Sequence, residues 1–322
     1  MVEETQRRVR ARISKCLIRC GRFGFLVSTS MSKAEVREIG VSETGFVRRP
    51  DPDGAAVAYR TYGRSRPGVV DVVLVHGSLQ NSAVWSKHGY IAQLSQQYRV
   101  TTIDVRGHGA SEKPDHPGGY AIASSARDVC AVLDHLDVHQ AHYLGYSLGG
   151  RIGLTLAATA PERLTSLVVA GSSHRPQRGA VDVLIFPKAI RVVEESGLPA
   201  FIDGWESHRG QRMASGFRAT IEALGQRGLA ALLRQWDDEP GVTEEALLQI
   251  ETPTLFFAGS EDPMRLAESR EAAVRMPRAY FALLEGCNHG QTVTMRERIL
   301  DRAEAFFRLS EFSDIEKLRV AG

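Results

Sequence analysis

The sequence predicts an α/β fold: a mostly parallel central sheet flanked by helices, with a helical lid inserted between two strands. Three observations carry this reading. Short apolar runs alternate with helical patterns from about residue 44 to 310. The run at 70–75 is almost wholly apolar, as a strand buried on both faces requires. From 173 to about 250 no buried strand is legible, and helical patterns follow one another over an interval far longer than an ordinary loop.

Taken in order, the first elements are strands at 44–49 and 55–62 around the turn Pro52-Asp53-Gly54, a hairpin signal. A strand at 70–75, a helix at 82–96, a strand at 99–105 and a helix at 121–136 follow. A strand at 141–146, a helix at 151–160 and a strand at 164–170 come next. Helices are expected at 181–195, 198–207, 213–224 and 228–236, then strands at 253–258 and 279–284 and a closing helix at 295–309. The chain is thus expected to divide into an N-terminal extension (1–41), expected to be mobile, a core (42–172 and 251–312), a helical lid (173–250) and a C-terminal tail (313–322). In such a sheet the strand ends along one edge define the site.

The bulk properties exclude several classes. With 43% hydrophobic and 24% charged residues among 322, the composition is that of a soluble globular protein. A net charge of +2 gives no reason to expect nucleic acid as a partner. No apolar run approaches the ~20 residues that span a bilayer. Cys16, Cys20, Cys130 and Cys287 lack metal-ligand spacing and form no disulfide framework, so a reducing cytoplasm is the simpler setting. Arg7, Arg8, Arg10, Arg12, Lys15 and Arg19 interleave with Val9, Ile13 and Leu17 as in a basic amphipathic helix, a pattern that can lie on an anionic membrane. The plainer reading, adopted here, is a loose tail or a gene start placed upstream of Met31. The oligomeric state is left open.

The most informative stretch is Tyr143-Leu144-Gly145-Tyr146-Ser147-Leu148-Gly149-Gly150. It joins a strand to a helix through Gly-x-Ser-x-Gly, the pattern of a nucleophilic serine on a sharp turn. A serine hydroxyl is a poor nucleophile at neutral pH and needs a base. Of the ten histidines, His289 lies in Glu285-Gly286-Cys287-Asn288-His289-Gly290, just past the last strand. Asp262 lies just past the preceding strand and is the expected orienting acid, with Glu261 as its neighbouring alternative. Backbone donors for an oxyanion are expected from Leu148 and, in the loop after 70–75, from Ser78 with Leu79 as the fallback.

These motifs resemble the α/β-hydrolase superfamily. The matching segments are Val75-His76-Gly77 with Trp85 downstream, Asp104-Val105-Arg106-Gly107-His108-Gly109-Ala110-Ser111, the serine turn, Gly259-Ser260-Glu261-Asp262 and Asn288-His289-Gly290. They arrive in family order over residues 44–310. The resemblance implies the α/β-hydrolase fold, a cofactor-free hydrolase with a variable lid, and a triad of Ser147, Asp262 and His289 in that chain order. The loop after residue 75 lacks the glycine run of some lipases, which weighs against a bulky-ester lipase. Tyr146 and Gly149-Gly150-Arg151 look like small-molecule esterases, lactonases, carbon–carbon bond hydrolases and a menaquinone-pathway lyase alike. The expected reaction is cleavage of a small ester, lactone or related acyl substrate. Carbon–carbon hydrolysis, lyase chemistry or perhydrolysis on the same triad is the alternative, and a ligand receptor with residual activity is the alternative of another class.

Other residues are read more plainly. His76, His108, Asp104 and Arg106 are expected to brace their own loops, because buried polar groups must be paired. Arg151, a cation in the first turn of a helix, opposes the helix dipole and needs a carboxylate from the protein or the substrate. Leu79, Tyr146, Arg151, Phe186, Trp205 and Phe217 are the candidate substrate contacts, with Phe201 and Trp236 as further lid aromatics. No metal or nucleotide motif is convincing.

Overall fold

The computed structural model describes residues 40–63 and 68–320. The basic pattern near the N-terminus, Cys16 and Cys20 lie outside the described residues. Eight strands form one sheet in the order β1-β2-β4-β3-β5-β6-β7-β8. They are β1 (Val41–Arg48), β2 (Ala56–Tyr62), β3 (Asp71–Val75), β4 (Arg99–Ile103), β5 (Ala141–Tyr146), β6 (Leu164–Ala170), β7 (Thr254–Gly259) and β8 (Ala279–Leu284). β1 pairs antiparallel with β2, and β2 with β4; every pairing from β4 to β8 is parallel.

Apart from the edge strand β8, the parallel strands are largely buried on both faces, and their side chains alternate between two cores as the period of two demands. Val73, Val75 and Tyr143 join one core, packed against α3 (Ile122–His135), α4 (Leu148–Thr159) and α9 (Pro263–Arg275). Val72, Leu74 and Leu144 join the other, packed against α1 (Ala83–Lys87), α2 (Tyr90–Leu94) and α10 (Arg296–Val320). Trp85 is fully buried there, its ring edge-on to Tyr90 at 4.9 Å.

Several boundaries differ from expectation for local reasons. The helix expected at 82–96 is two short ones, because Gly89 takes φ 77° and turns the chain between them. α9 was not among the expected elements; Asp262 caps it and Pro263 opens it. The closing helix does not stop near 309 and no separate tail begins at 313: α10 runs to Val320, since no glycine or proline interrupts residues 310–320.

The segment between β6 and β7 is helical, as expected. It holds α5 (Ala180–Leu184), α6 (Ala189–Arg209), α7 (Ser215–Asp238) and α8 (Glu244–Gln249). Non-helical Gly197 and Gly225 interrupt α6 and α7, so two of the expected helix boundaries are kinks. Pro187 lies between α5 and α6, where a single helix was expected at 181–195. α5, α6 and α7 share an apolar core built on Phe201, Trp205, Ile221, Leu229 and Leu233, which also takes in Leu79 from the loop after β3, whereas α8 places Leu247 in the core on the sheet.

Candidate active site

β5 ends at Tyr146 and α4 begins at Leu148, so one residue makes the turn. That residue, Ser147, has φ 52° and ψ −110°. A side chain in this region carries about 1–3 kcal/mol of strain, which its surroundings must hold. The Ser147 N–H donates to the Ala170 carbonyl at 2.9 Å, and the Ser172 hydroxyl donates to the Ser147 carbonyl at 2.7 Å. The flanking glycines serve close approach: a Cβ on Gly145 would lie 2.3 Å from the Gly149 backbone, and one on Gly149 would lie 2.0 Å from the Val75 carbonyl. Gly149→Ala is therefore expected to destabilise the protein by about 3 kcal/mol or more, since backbone rather than a movable side chain opposes the methyl. Urea denaturation checks this; a change within experimental error would mean that the turn relaxes freely.

The structure brings the three expected residues together. Ser147 Oγ lies 3.1 Å from His289 Nε2, and His289 Nδ1 lies 2.8 Å from Asp262 Oδ2. A carboxylate only accepts, so Asp262 places the proton on Nδ1 and leaves Nε2 able to accept from the serine. Asp262 Oδ1 accepts the Arg265 N–H at 3.4 Å, so the same carboxylate caps α9 and is itself oriented by it. Glu261 is exposed and its N–H is spent on the Cys287 carbonyl at 3.0 Å. The Tyr146 hydroxyl donates to the His289 carbonyl at 2.9 Å, tying the histidine loop to the strand beneath. Cys287 is buried and burial pushes its thiol up, as for a packed small residue.

Among the described residues, the backbone N–H groups of Ser78, Leu79 and Leu148 make no hydrogen bond, and all three residues face the same cavity. Leu79 has φ 58°. The loop that carries it is braced from below. His76 Nδ1 meets the Gly77 carbonyl at 2.8 Å and Nε2 accepts the Val105 N–H at 3.1 Å. His108 Nδ1 meets the Arg106 carbonyl at 3.0 Å, and Arg106 forms a paired contact with Asp128 at 2.7 and 2.8 Å. Asp104 accepts the Ser82 N–H at 2.7 Å and the Ala110 N–H at 3.0 Å.

Burial opposes ionisation of Asp104, but those N–H donors and the Ser82 hydroxyl outweigh it and hold its carboxyl below the ordinary value. Its contribution to stability is therefore present above about pH 3.9 and is lost as pH falls through the depressed folded value. Asp104→Asn is expected to lower stability at pH 7 by about 1–3 kcal/mol and to flatten the acid limb of the stability profile. Denaturation midpoints between pH 7 and 3 provide the check; parallel profiles would show that Asp104 does not govern the limb.

The serine opens onto a cavity of about 530 Å³. Of the candidate substrate contacts, Leu79, Tyr146, Trp205 and Phe217 line it, together with Trp236. Phe186 does not. It is 6% exposed, its ring 5.4 Å from Phe201 and pressed against Gly204, so it packs the helical layer. Arg151 also reaches the cavity, beside Gln177, Glu239 and Arg265. Among the described residues no three His, Cys, Asp or Glu side chains are grouped to hold a metal ion. No described helix is long and apolar enough to cross a membrane.

A family model for the alpha/beta hydrolase fold matches residues 72–189, from β3 past the serine turn to the start of α6. The chain is 30% identical over 258 residues to the candidate carbamate hydrolase RutD of Stutzerimonas stutzeri, covering 74% of this chain and 92% of that relative. The chain belongs to the α/β-hydrolase superfamily. It is also 28% identical over 231 residues to the 3-oxoadipate enol-lactonase 2 of Acinetobacter baylyi, covering 65% of this chain and 77% of that one. A hydrolase from Pseudomonas aeruginosa is similar in structure, with a TM-score of 0.67 and 28% identity over 83% of this chain and 99% of that one.

For this α/β hydrolase, the cavity residues that sequence reasoning missed include three buried polar ones, Gln177, Glu239 and Arg265. Gln177 and Glu239 lie where the inserted segment leaves and rejoins the core. Arg265 is in α9, the helix not expected. The signal that was present is Glu239-Pro240-Gly241, a turn beside a carboxylate.

Proposed function

We propose that this chain is a serine hydrolase that cleaves a small ester or lactone through an acyl-enzyme on Ser147. The observation that carries the reading is the relay from Asp262 through His289 to Ser147, at 2.8 and 3.1 Å, at the mouth of the cavity. His289 Nε2 takes the serine proton as Oγ attacks the substrate carbonyl. Asp262 keeps the imidazole in the required tautomer and stabilises the imidazolium. The negative oxygen of the tetrahedral intermediate accepts from the Leu148 N–H and the Ser78 N–H, with Leu79 as the alternative to Ser78. Such donors are worth about 10²–10³ each in rate. His289 then returns the proton to the leaving alcohol, and a water activated by the same histidine releases the acid. A cavity of about 530 Å³ suits a small molecule. The enol-lactonase name of one relative supports an ester-like bond as the target.

Intact-mass detection of a fluorophosphonate adduct, run beside hydrolysis of p-nitrophenyl acetate and butyrate, tests this. Labelling of the native protein and not of Ser147→Ala, with steady turnover, supports the reading. Labelling without turnover would turn it toward carbon–carbon hydrolysis, a lyase or a receptor. No labelling of folded protein would overturn the triad.

A further inference from the structure

The mechanism leaves one polar region of the cavity without a task. Arg151 follows Ser147 by four residues on α4, about one helical turn away. It is 8% exposed. Its Nη1 donates to the carbonyls of Ser173 and Arg175, each at 2.9 Å. Its Nε and Nη2 are buried and have no hydrogen-bond partner among the described residues. The carboxylate facing it, Glu239 Oε1, stands 3.9 Å from Nη2, too far for a hydrogen bond. Glu239 is also 8% exposed and is held by the Gly241 N–H at 3.3 Å and the Ile122 N–H, which leaves it acceptor capacity.

The neighbouring polar groups are already engaged. Gln177 Oε1 accepts from Trp236 Nε1 at 3.2 Å and from Arg265 Nη2 at 3.1 Å. Arg265 Nη1 is paired with Glu268 at 2.6 Å. The free capacity of this end is thus two guanidinium nitrogens, with three N–H donors between them, beside one carboxylate acceptor, with charges that cancel.

We propose that Arg151 and Glu239 form a specificity subsite for an uncharged group that presents an acceptor and an N–H donor side by side, the carboxamide class, carried by the acyl substrate. This deepens, and rests on, the hydrolase reading. Three comparisons of ligand chemistry lead to it. An apolar group would leave the Arg151 donors unmade in a buried place. A carboxylate would satisfy Arg151 but face Glu239 at close range in a poorly solvated site. An amide satisfies both, its carbonyl accepting from Arg151 and its N–H donating to Glu239. Burial brings Arg151 down to about 10 and pushes the Glu239 carboxyl up, in keeping with a site that disfavours further charge.

The test is binding to the Ser147→Ala protein, measured calorimetrically with two ligand sets. p-Nitrophenyl butyrate, succinamate and hemisuccinate vary the acyl side. Butyrate esters of propanol, glycolamide and glycolate vary the alcohol side. In one set the carboxamide is expected to bind about tenfold tighter than both its apolar and its anionic counterparts. Adding Glu239→Gln, which keeps the size and removes the negative charge, should move that preference toward the carboxylate by about tenfold. Equal binding of apolar and amide ligands in both sets would overturn the proposal, as would preference for the anion with Glu239 intact. Should the second substitution fail to fold, the first panel decides alone. Binding does not use Ser147, so a native protein with no turnover and no labelling would count against the hydrolase reading and leave the binding result standing.

Discussion

Ser147→Ala is expected to lower kcat on aryl esters by about a millionfold, the loss found when a triad serine is removed. What survives is the rate owed to substrate positioning and the oxyanion donors, about 10³–10⁴ over water. Ser147→Gly should be as inactive, but it differs in stability. Glycine accepts φ 52° without strain, so it should gain about 1–3 kcal/mol over the native protein in urea denaturation. The pair separates two roles of one residue, its nucleophilic oxygen and its forced backbone. An alanine variant keeping more than about a hundredth of native activity would place the nucleophile elsewhere.

Asp262→Asn is expected to lower kcat by about 10⁴, the scale set by the same change in a serine protease triad. The asparagine amide would present N–H to His289 Nδ1, favouring the tautomer that carries its proton on Nε2. That nitrogen could then no longer accept from Ser147. The stability of this variant should hardly move, because asparagine caps α9 as well as aspartate does. Loss of activity with an unchanged denaturation midpoint is thus the signature of an orienting acid. Glu261→Gln, which alters an exposed side chain next door, should leave both readouts little changed. A larger effect at Glu261 than at Asp262 would reverse the assignment.

The residues that meet at the serine were legible because each sits at a strand end, where a two-fold side-chain period stops and a loop begins. Ser147, Asp262 and His289 are far apart in the chain but follow β5, β7 and β8, strands that the parallel topology places on one side of the sheet. Asp262 over Glu261 was a one-residue choice; in the structure it is Asp262 that stands 2.8 Å from His289 Nδ1, while Glu261 is exposed. The aromatics of the helices between β6 and β7 were harder. Trp205 and Phe217 line the cavity while Phe186 packs behind it, and no local pattern tells the inner face of a kinked helix from its outer face. Gly197 and Gly225 reset the helical phase within α6 and α7, so a period read across them misassigns faces. Arg151 was expected to face a carboxylate of the protein or the substrate; Glu239, which stands 3.9 Å from it, is distant in sequence and only the return of the chain brings it near.

That return has a consequence for how the molecule can vary. The Gln177 N–H bonds the Glu239 carbonyl and the Val242 N–H bonds the His174 carbonyl, each at 2.9 Å. Departure and re-entry are thus stitched at one seam, with Gly241 letting the two backbones touch. Everything between the stitches is a closed excursion, and lengthening or shortening such an excursion changes its closure entropy only logarithmically, by about 0.6 kcal/mol per doubling. The sixty-odd residues from 178 to 238 can therefore vary in length at small entropic cost, provided that Leu79 and Tyr120, which they bury, stay covered. The aromatic wall of the cavity, Trp205, Phe217 and Trp236, can then be rebuilt with the excursion, while Arg151 and Glu239 stay with the seam.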